Sequence, residues 1–155
     1  MKMVRSISVV STVMTLVLLL SSCGEQACYD KTDPVMSAFL LESGTGVTVK
    51  ATSIVVTGIT ATDTIEFVNA KAVSSFAVPL DPGNDVSTFY IVLDGIADTA
   101  VINYTRRPHL VSAECGYTFV SDLTELKTTH NIIDTLIIEN KSVNLNGERN
   151  LHLFY

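Results

Sequence analysis

"STFYIVLDGIADTAVINYT", residues 87–105, contains two runs of alternating residues on either side of one turn signal, Asp94-Gly95. In both runs every second residue is apolar or aromatic: Phe89, Ile91 and Leu93, then Ala100, Ile102 and Tyr104. A period of two residues is typical of a β-strand that buries one of its faces. The stretch therefore predicts two strands that are neighbours in sequence and share a core.

The same strand-like pattern continues through most of the chain after Cys28. Further runs lie at 38–41, 53–59, 76–80, 117–119, 131–138 and 151–155. Turn-forming residues separate them, at 44–46, 81–85, 107–108 and 146–147. Seven to nine short strands at this spacing predict an all-β fold, an antiparallel β-sandwich that is immunoglobulin-like or transthyretin-like in outline. A small β-barrel is the alternative.

Two local patterns give more specific expectations. Asn146-Gly147 is typical of a tight hairpin turn, so Ser142 to Leu145 are predicted to pair with the C-terminal strand. In "VSDLTELKT" (120–128) the spacing of the leucines allows one helical turn.

The segment before Cys23 predicts export and lipid attachment. Lys2 and Arg5 precede a short apolar run, Ile7 to Leu20, which two serines follow. A helix needs about 20 apolar residues to cross a bilayer, so this shorter run is typical of a signal peptide. Leu20-Ser21-Ser22-Cys23 resembles the lipobox of bacterial lipoproteins, which implies a diacylglycerol on the Cys23 sulfur, cleavage before that residue and a third acyl chain on the freed amine. A plain signal peptide with a chance cysteine is the alternative.

The predicted organisation is a signal peptide at 1–22, a lipid-anchored stalk at 23–33 and a β-sandwich domain at 34–155. Cleavage removes Lys2 and Arg5 but no acidic residue, which leaves eight basic against sixteen acidic residues. This acidic balance argues against nucleic acid as a partner, because phosphate contacts require Lys and Arg. It also argues against electrostatic docking on anionic lipid, so we expect the lipid anchor to hold the protein on the membrane.

Two cysteines remain once Cys23 is acylated, and exported proteins keep disulfides. We therefore predict a bridge between Cys28 and Cys115. The alternative is that Cys115 acts as a nucleophile with His109 or His130, which requires a reduced thiol with a lowered pKa.

Signals for catalysis or metal binding are weak. The three histidines lie 21 and 22 residues apart, without the close pairs that zinc sites use. "DPGND" (81–85) offers oxygen ligands, but it lacks the loop length and the distal glutamate of an EF-hand, so it predicts a turn. We expect no catalytic residue, no metal and no cofactor.

An Asp-Thr-apolar tripeptide occurs three times, at 63–65, 98–100 and 134–136. It resembles the acceptor sequence of the general O-glycosylation system of Bacteroidota envelope proteins, which implies glycans on Thr64, Thr99 or Thr135. A bulky glycan requires an exposed turn, which favours Thr64 and Thr99 over Thr135. The alternative is structural, with each Asp carboxylate accepting a nearby backbone N–H at the start of a strand.

Five segments together resemble a family of small Bacteroidota lipoproteins that is described as a domain of unknown function: "CYDKTDP" (28–34), "VPLDP" (78–82), "STFYIVL" (87–93), "INYTRRPHLVSAECGYTF" (102–119) and "NLHLFY" (150–155). The resemblance implies an envelope lipoprotein on the outer membrane and supplies no activity. We expect a non-enzymatic structural or binding module whose partner is an envelope protein or a glycan. The alternative is an accessory or hydrolytic enzyme that acts on envelope or extracellular glycans.

Overall fold

The computed structural model describes residues 28–155, and Cys23 and the predicted signal peptide lie outside this range. Ten strands and no helix are found in these residues: β1 (Val35–Leu41), β2 (Ala51–Ile59), β3 (Thr64–Val73), β4 (Ser75–Pro79), β5 (Val86–Leu93), β6 (Ile96–Ser112), β7 (Gly116–Thr128), β8 (Thr135–Ile138), β9 (Ser142–Val143) and β10 (Arg149–Phe154). Accordingly, the described residues offer no helical segment with the length and apolarity needed to cross a bilayer.

The strands form two open sheets, which confirms the predicted β-sandwich and not the closed barrel. One sheet has the order β4-β1-β10-β8, and the other has the order β3-β2-β5-β6-β7-β9. Neighbouring strands are antiparallel except β1 and β10, which pair in parallel. The strand count in residues 28–155 exceeds the expected seven to nine, mainly because the sequence pattern did not indicate β3.

The quoted stretch forms the central hairpin, β5–β6. Leu93 pairs with Ile96, and the two residues between them have positive φ angles, 50° at Asp94 and 88° at Gly95. Positive φ at both positions defines the tight turn whose twist suits paired strands, and glycine adopts it without a Cβ penalty. The alternating residues on both strands are buried, as predicted.

The core lies between the inner faces of the two sheets. Its largest fully buried side chains come from both sheets and from the connection before β8: Leu40, Ile54, Leu93, Ile102, Ile133, Leu151 and Leu153. Burial of each such side chain contributes about 1.5–3 kcal/mol relative to its exposure. Apolar burial therefore accounts for the association of the two sheets.

The predicted hairpin at Asn146-Gly147 is wrong. Strand β9 pairs with β7, whereas β10 pairs with β8 and β1. Of the two turn residues only Gly147 has a positive φ, 69°, so the tight two-residue turn does not form. The side-chain amide of Asn150 instead donates to the carbonyl oxygens of Asn140 and Ser142 and holds this segment beside β10.

The helical turn allowed at 120–128 is also absent, because these residues belong to β7 and all but Thr124 pair with β6. The run at 131–138 is only partly a strand. Strand β8 begins at Thr135, and residues 131–133 are held in a loop by the side chain of Asp98.

The two longest strands extend beyond the rest of the sandwich. Strand β5 reaches β6 only as far as Asn103, and β9 reaches β7 at Ser121 and Asp122. Residues 108–119, which we call the ribbon tip, therefore pair only with each other among the described strands. The predicted bridge is present at this tip: Cys28 and Cys115 are disulfide-bonded, and their Cα atoms are 4.8 Å apart.

Candidate functional site: two grooves beside the 80–85 loop

An apolar groove opens where the inner face of the six-stranded sheet is not covered by the other sheet. We call it the β3 groove, and it encloses about 380 Å³. Its apolar lining comes from β2, β3, β5 and the end of β4: Ile59, Ile65, Phe67, Pro79, Leu80 and Phe89. A concave apolar surface of this volume is the usual form of a binding site.

A second groove, the β7 groove, lies on the other side of the 80–85 loop and encloses about 260 Å³. Its walls include Pro34 before β1, Arg106 on β6, and Tyr117 and Phe119 on β7. The two grooves share residues 79–82 as a common wall. The 80–85 loop therefore determines the shape of both.

A β-bulge places Phe67 in the β3 groove. Val56 pairs with Val68 and Thr57 pairs with Glu66, so Phe67 has no partner on β2. Such an extra residue bends a strand and redirects its side chain. The ring of Phe67 meets that of Phe89 edge to face, with the centroids 6.3 Å apart.

Gly58 makes room for this ring. A Cβ atom at position 58 would clash with Cε2 of Phe67, because it would lie closer than real Cβ contacts do. A larger residue there must displace the Phe67 ring, and because that ring is half-exposed it can swing away while the strand stays in place. A substitution at Gly58 can therefore change the shape of the groove.

Hydrogen bonds from the sheet hold the 80–85 loop. The Tyr104 hydroxyl donates to the carbonyl oxygen of Asp81 (2.9 Å), and the Asp81 N–H donates to Ser87 Oγ (2.8 Å). Ser87 Oγ and the Tyr104 hydroxyl are 2.8 Å apart, so Ser87 completes the network by donating to Tyr104. Arg106 adds a bond to the carbonyl oxygen of Pro82 and an ion pair with Asp85 (2.6 Å).

The protonation states of the side chains that hold the 80–85 loop do not change near neutral pH. Hydrogen bonds from the Asn84 side chain and the Gly83 N–H lower the pKa of Asp81, although burial opposes them. Burial is the main cause that raises the pKa of Tyr104. Asp81 therefore stays ionised and Tyr104 stays protonated, which preserves the hydrogen bonds of the loop across the neutral range.

The structure does not bring the candidate histidines and Cys115 together. His109 is exposed on the ribbon tip, and His130 is exposed with Nδ1 3.0 Å from the carbonyl oxygen of Asp134. Nε2 of His152 lies 2.7 Å from a carboxylate oxygen of Glu139. Neither groove, as built from residues 28–155, is lined by a histidine, and these residues contain no cluster of three metal-ligating side chains. "DPGND" forms a turn, in which the Asp81 carboxylate accepts bonds from Gly83 and Asn84.

Asp98, from the second Asp-Thr tripeptide, has a structural role that the sequence did not reveal. Its side chain is 1% exposed, and its carboxylate accepts the backbone N–H groups of Asn131, Ile132 and Ile133 at 2.8–3.1 Å. It also accepts a bond from the Thr129 hydroxyl. One buried carboxylate thus fixes the whole connection from β7 to β8 against β6.

The three candidate glycosylation sites differ in exposure. Thr64 and Thr135 are exposed and begin β3 and β8, whereas Thr99 is half-buried within β6. The expectation that Thr99 is a better exposed site than Thr135 is therefore wrong, because Thr99 sits in mid-strand opposite Tyr90. Glycosylation itself stays a prediction. At the first tripeptide Asp63 accepts the N–H of Thr64 (2.7 Å), as the structural alternative expects.

The fold defines a disulfide-bonded β-sandwich domain with two open sheets. Its disulfide and both apolar grooves lie at the same end. Residues 53–155 match the Family of unknown function (DUF6452), and the chain belongs to that family. The match runs from β2 to the C-terminus, so it includes Cys115 and nearly all of both grooves. No curated protein and no solved structure matches the chain.

Proposed function

We propose that the protein is an outer-membrane lipoprotein, anchored through Cys23, that acts as a non-enzymatic binding module of the bacterial cell envelope. The lipobox-like sequence before Cys23 supports the anchor. The Cys28–Cys115 bridge supports an oxidising compartment, because such bridges persist in exported proteins. The β3 groove is the observation that supports binding.

The chemistry of the β3 groove favours an apolar occupant. Ile59, Ile65 and Phe67 lie at its rim and are 41%, 48% and 38% exposed. Covering such side chains removes apolar surface from water, at about 25 cal/mol per Å². A glycan requires several converging polar groups instead, so between the two predicted partners the groove favours apolar side chains of an envelope protein. No feature of residues 28–155 singles out the enzymatic alternative.

Site-specific photocrosslinking in native membranes tests this function. A photoreactive amino acid in place of Ile65 is expected to capture a discrete polypeptide, whereas the same group in place of Tyr90 is not. Tyr90 is a matched control because it is 44% exposed but lies on the outer face of the same sheet, away from the groove.

A second variant separates groove binding from chance capture. Gly58→Val must displace the Phe67 ring and so change the shape of the groove, and it should therefore reduce the Ile65 adduct several-fold while the domain stays folded. The proposal fails if the adduct survives Gly58→Val, if Tyr90 yields the same adduct, or if the captured material is glycan without polypeptide.

A further inference from the structure

We propose that the ribbon tip is a membrane-docking surface that rests on the zwitterionic phospholipid around the anchor. This inference rests on the proposed lipid tether at Cys23. It assigns a partner to a surface that is separate from the β3 groove.

The ribbon tip carries an apolar row on one face. Leu110 pairs with Tyr117, and Pro108 pairs with Phe119. Side chains at alternate strand positions share a face, so these four lie on the same face as the buried Tyr104, beyond Arg106, whose guanidinium carbon is 5.7 Å from the centre of the Phe119 ring. Beyond the sandwich the row is uncovered: Tyr117 is 74% exposed, Leu110 is 51% exposed and Phe119 is 48% exposed.

The disulfide holds this row close to the proposed anchor. Cys28 lies five positions after Cys23, and an extended chain of that length spans at most about 17 Å. The Cα atom of Cys28 is 4.8 Å from that of Cys115 at the end of the ribbon. An acylated Cys23 therefore keeps the ribbon tip beside the lipid surface, and a tethered contact forms even when its intrinsic affinity is weak.

The chemistry of the tip suits the polar–apolar boundary of a bilayer. Tyrosine and other amphipathic rings concentrate at membrane interfaces, and Tyr29, next to the bridge, adds a ring that is 92% exposed. The charged groups nearby do not favour anionic lipid. The exposed acidic residues Asp30, Asp33 and Glu114 outnumber the exposed Lys31, and Arg107 is paired with Asp122 at 3.5 Å. The contact is thus apolar and aromatic, and it should change little with salt.

The chain contains no tryptophan, so one introduced tryptophan reports on its own position. The lipidated mature protein, residues 23–155, would carry either Tyr117→Trp or Tyr90→Trp, in phosphatidylcholine vesicles with brominated acyl chains as the quencher. Tyr90 pairs with Thr99, eleven residues along β6 from Leu110, which is about 35 Å at the usual strand rise. We expect Tyr117→Trp fluorescence to shift to the blue and to be quenched several-fold more than Tyr90→Trp fluorescence.

Flotation of the vesicles separates the two possible failures. Protein that does not float with them contradicts the lipid tether and hence the proposed function. The other failure is that the protein floats while both tryptophans are quenched equally, or while Tyr117→Trp emission stays like that of a solvated ring. Either result overturns docking of the tip on lipid and favours a protein partner for the apolar row. Loss of quenching in high salt would contradict an apolar contact.

Discussion

Replacing Asp98 by alanine is expected to lower the free energy of unfolding by about 3–5 kcal/mol. The carboxylate is buried and accepts three consecutive backbone N–H groups, those of Asn131, Ile132 and Ile133. Alanine leaves these donors without a partner, and each unsatisfied buried donor costs about 1–3 kcal/mol. Urea unfolding at neutral pH, followed by circular dichroism, measures the effect.

Asp134→Ala is the matched control for Asp98→Ala. Asp134 occupies the same place in the third Asp-Thr tripeptide but is exposed. Its replacement should change the free energy of unfolding by no more than about 0.5 kcal/mol. Equal effects of the two substitutions would show that Asp98 does not hold the β7–β8 connection.

The same carboxylate predicts a pH dependence of stability. Burial alone would raise the pKa of Asp98, but the hydrogen bonds from Ile133, Thr129 and their neighbours outweigh it and bring the pKa to about 2, below the ordinary 3.8. Because the folded pKa is the lower one, the stabilisation is complete above pH 3.8 and is lost as the pH falls through about 2. The loss amounts to about 2 kcal/mol and should be absent in Asp98→Ala.

Removing the bridge with Cys28→Ser and Cys115→Ser together is expected to lower the free energy of unfolding by about 4–5 kcal/mol. The bonded cysteines are 87 residues apart, and closing so long a loop removes much entropy from the unfolded chain. Urea unfolding with and without a reductant provides the measurement. The reductant should destabilise the native chain and leave the double variant unchanged, and an unaltered midpoint in the native chain would refute the prediction.

The two strands of the central hairpin could be predicted because their local signals agree. Alternating apolar residues before and after the turn indicate two strands, and the Asp94-Gly95 signal indicates the turn between them. The structure confirms all three. Strand β3 could not be predicted in this way. It is an edge strand with little burial, and the bulge at Phe67 interrupts its alternation, so no regular pattern marks residues 64–73.

The grooves were missed because they depend on contacts between residues distant in sequence. They exist because the six-stranded sheet extends beyond the four-stranded one and because Tyr104, Ser87 and Arg106 fix the 80–85 loop. The burial of Asp98 is likewise nonlocal, since its partners lie more than thirty residues away in sequence. The bridge was predictable because it needs only a count of cysteines and the expected compartment.

Lipid tethering at Cys23 underlies both the proposed function and the docking of the ribbon tip, and the intact mass of the protein from its native membrane tests it most directly. We predict the mass of residues 23–155 with a diacylglycerol thioether and an N-acyl chain, less two hydrogens for the Cys28–Cys115 bridge. Glycosylation at Thr64, Thr99 or Thr135 would add sugar masses to this value. A chain that begins at another residue, or residues 23–155 without lipid, would contradict the tether.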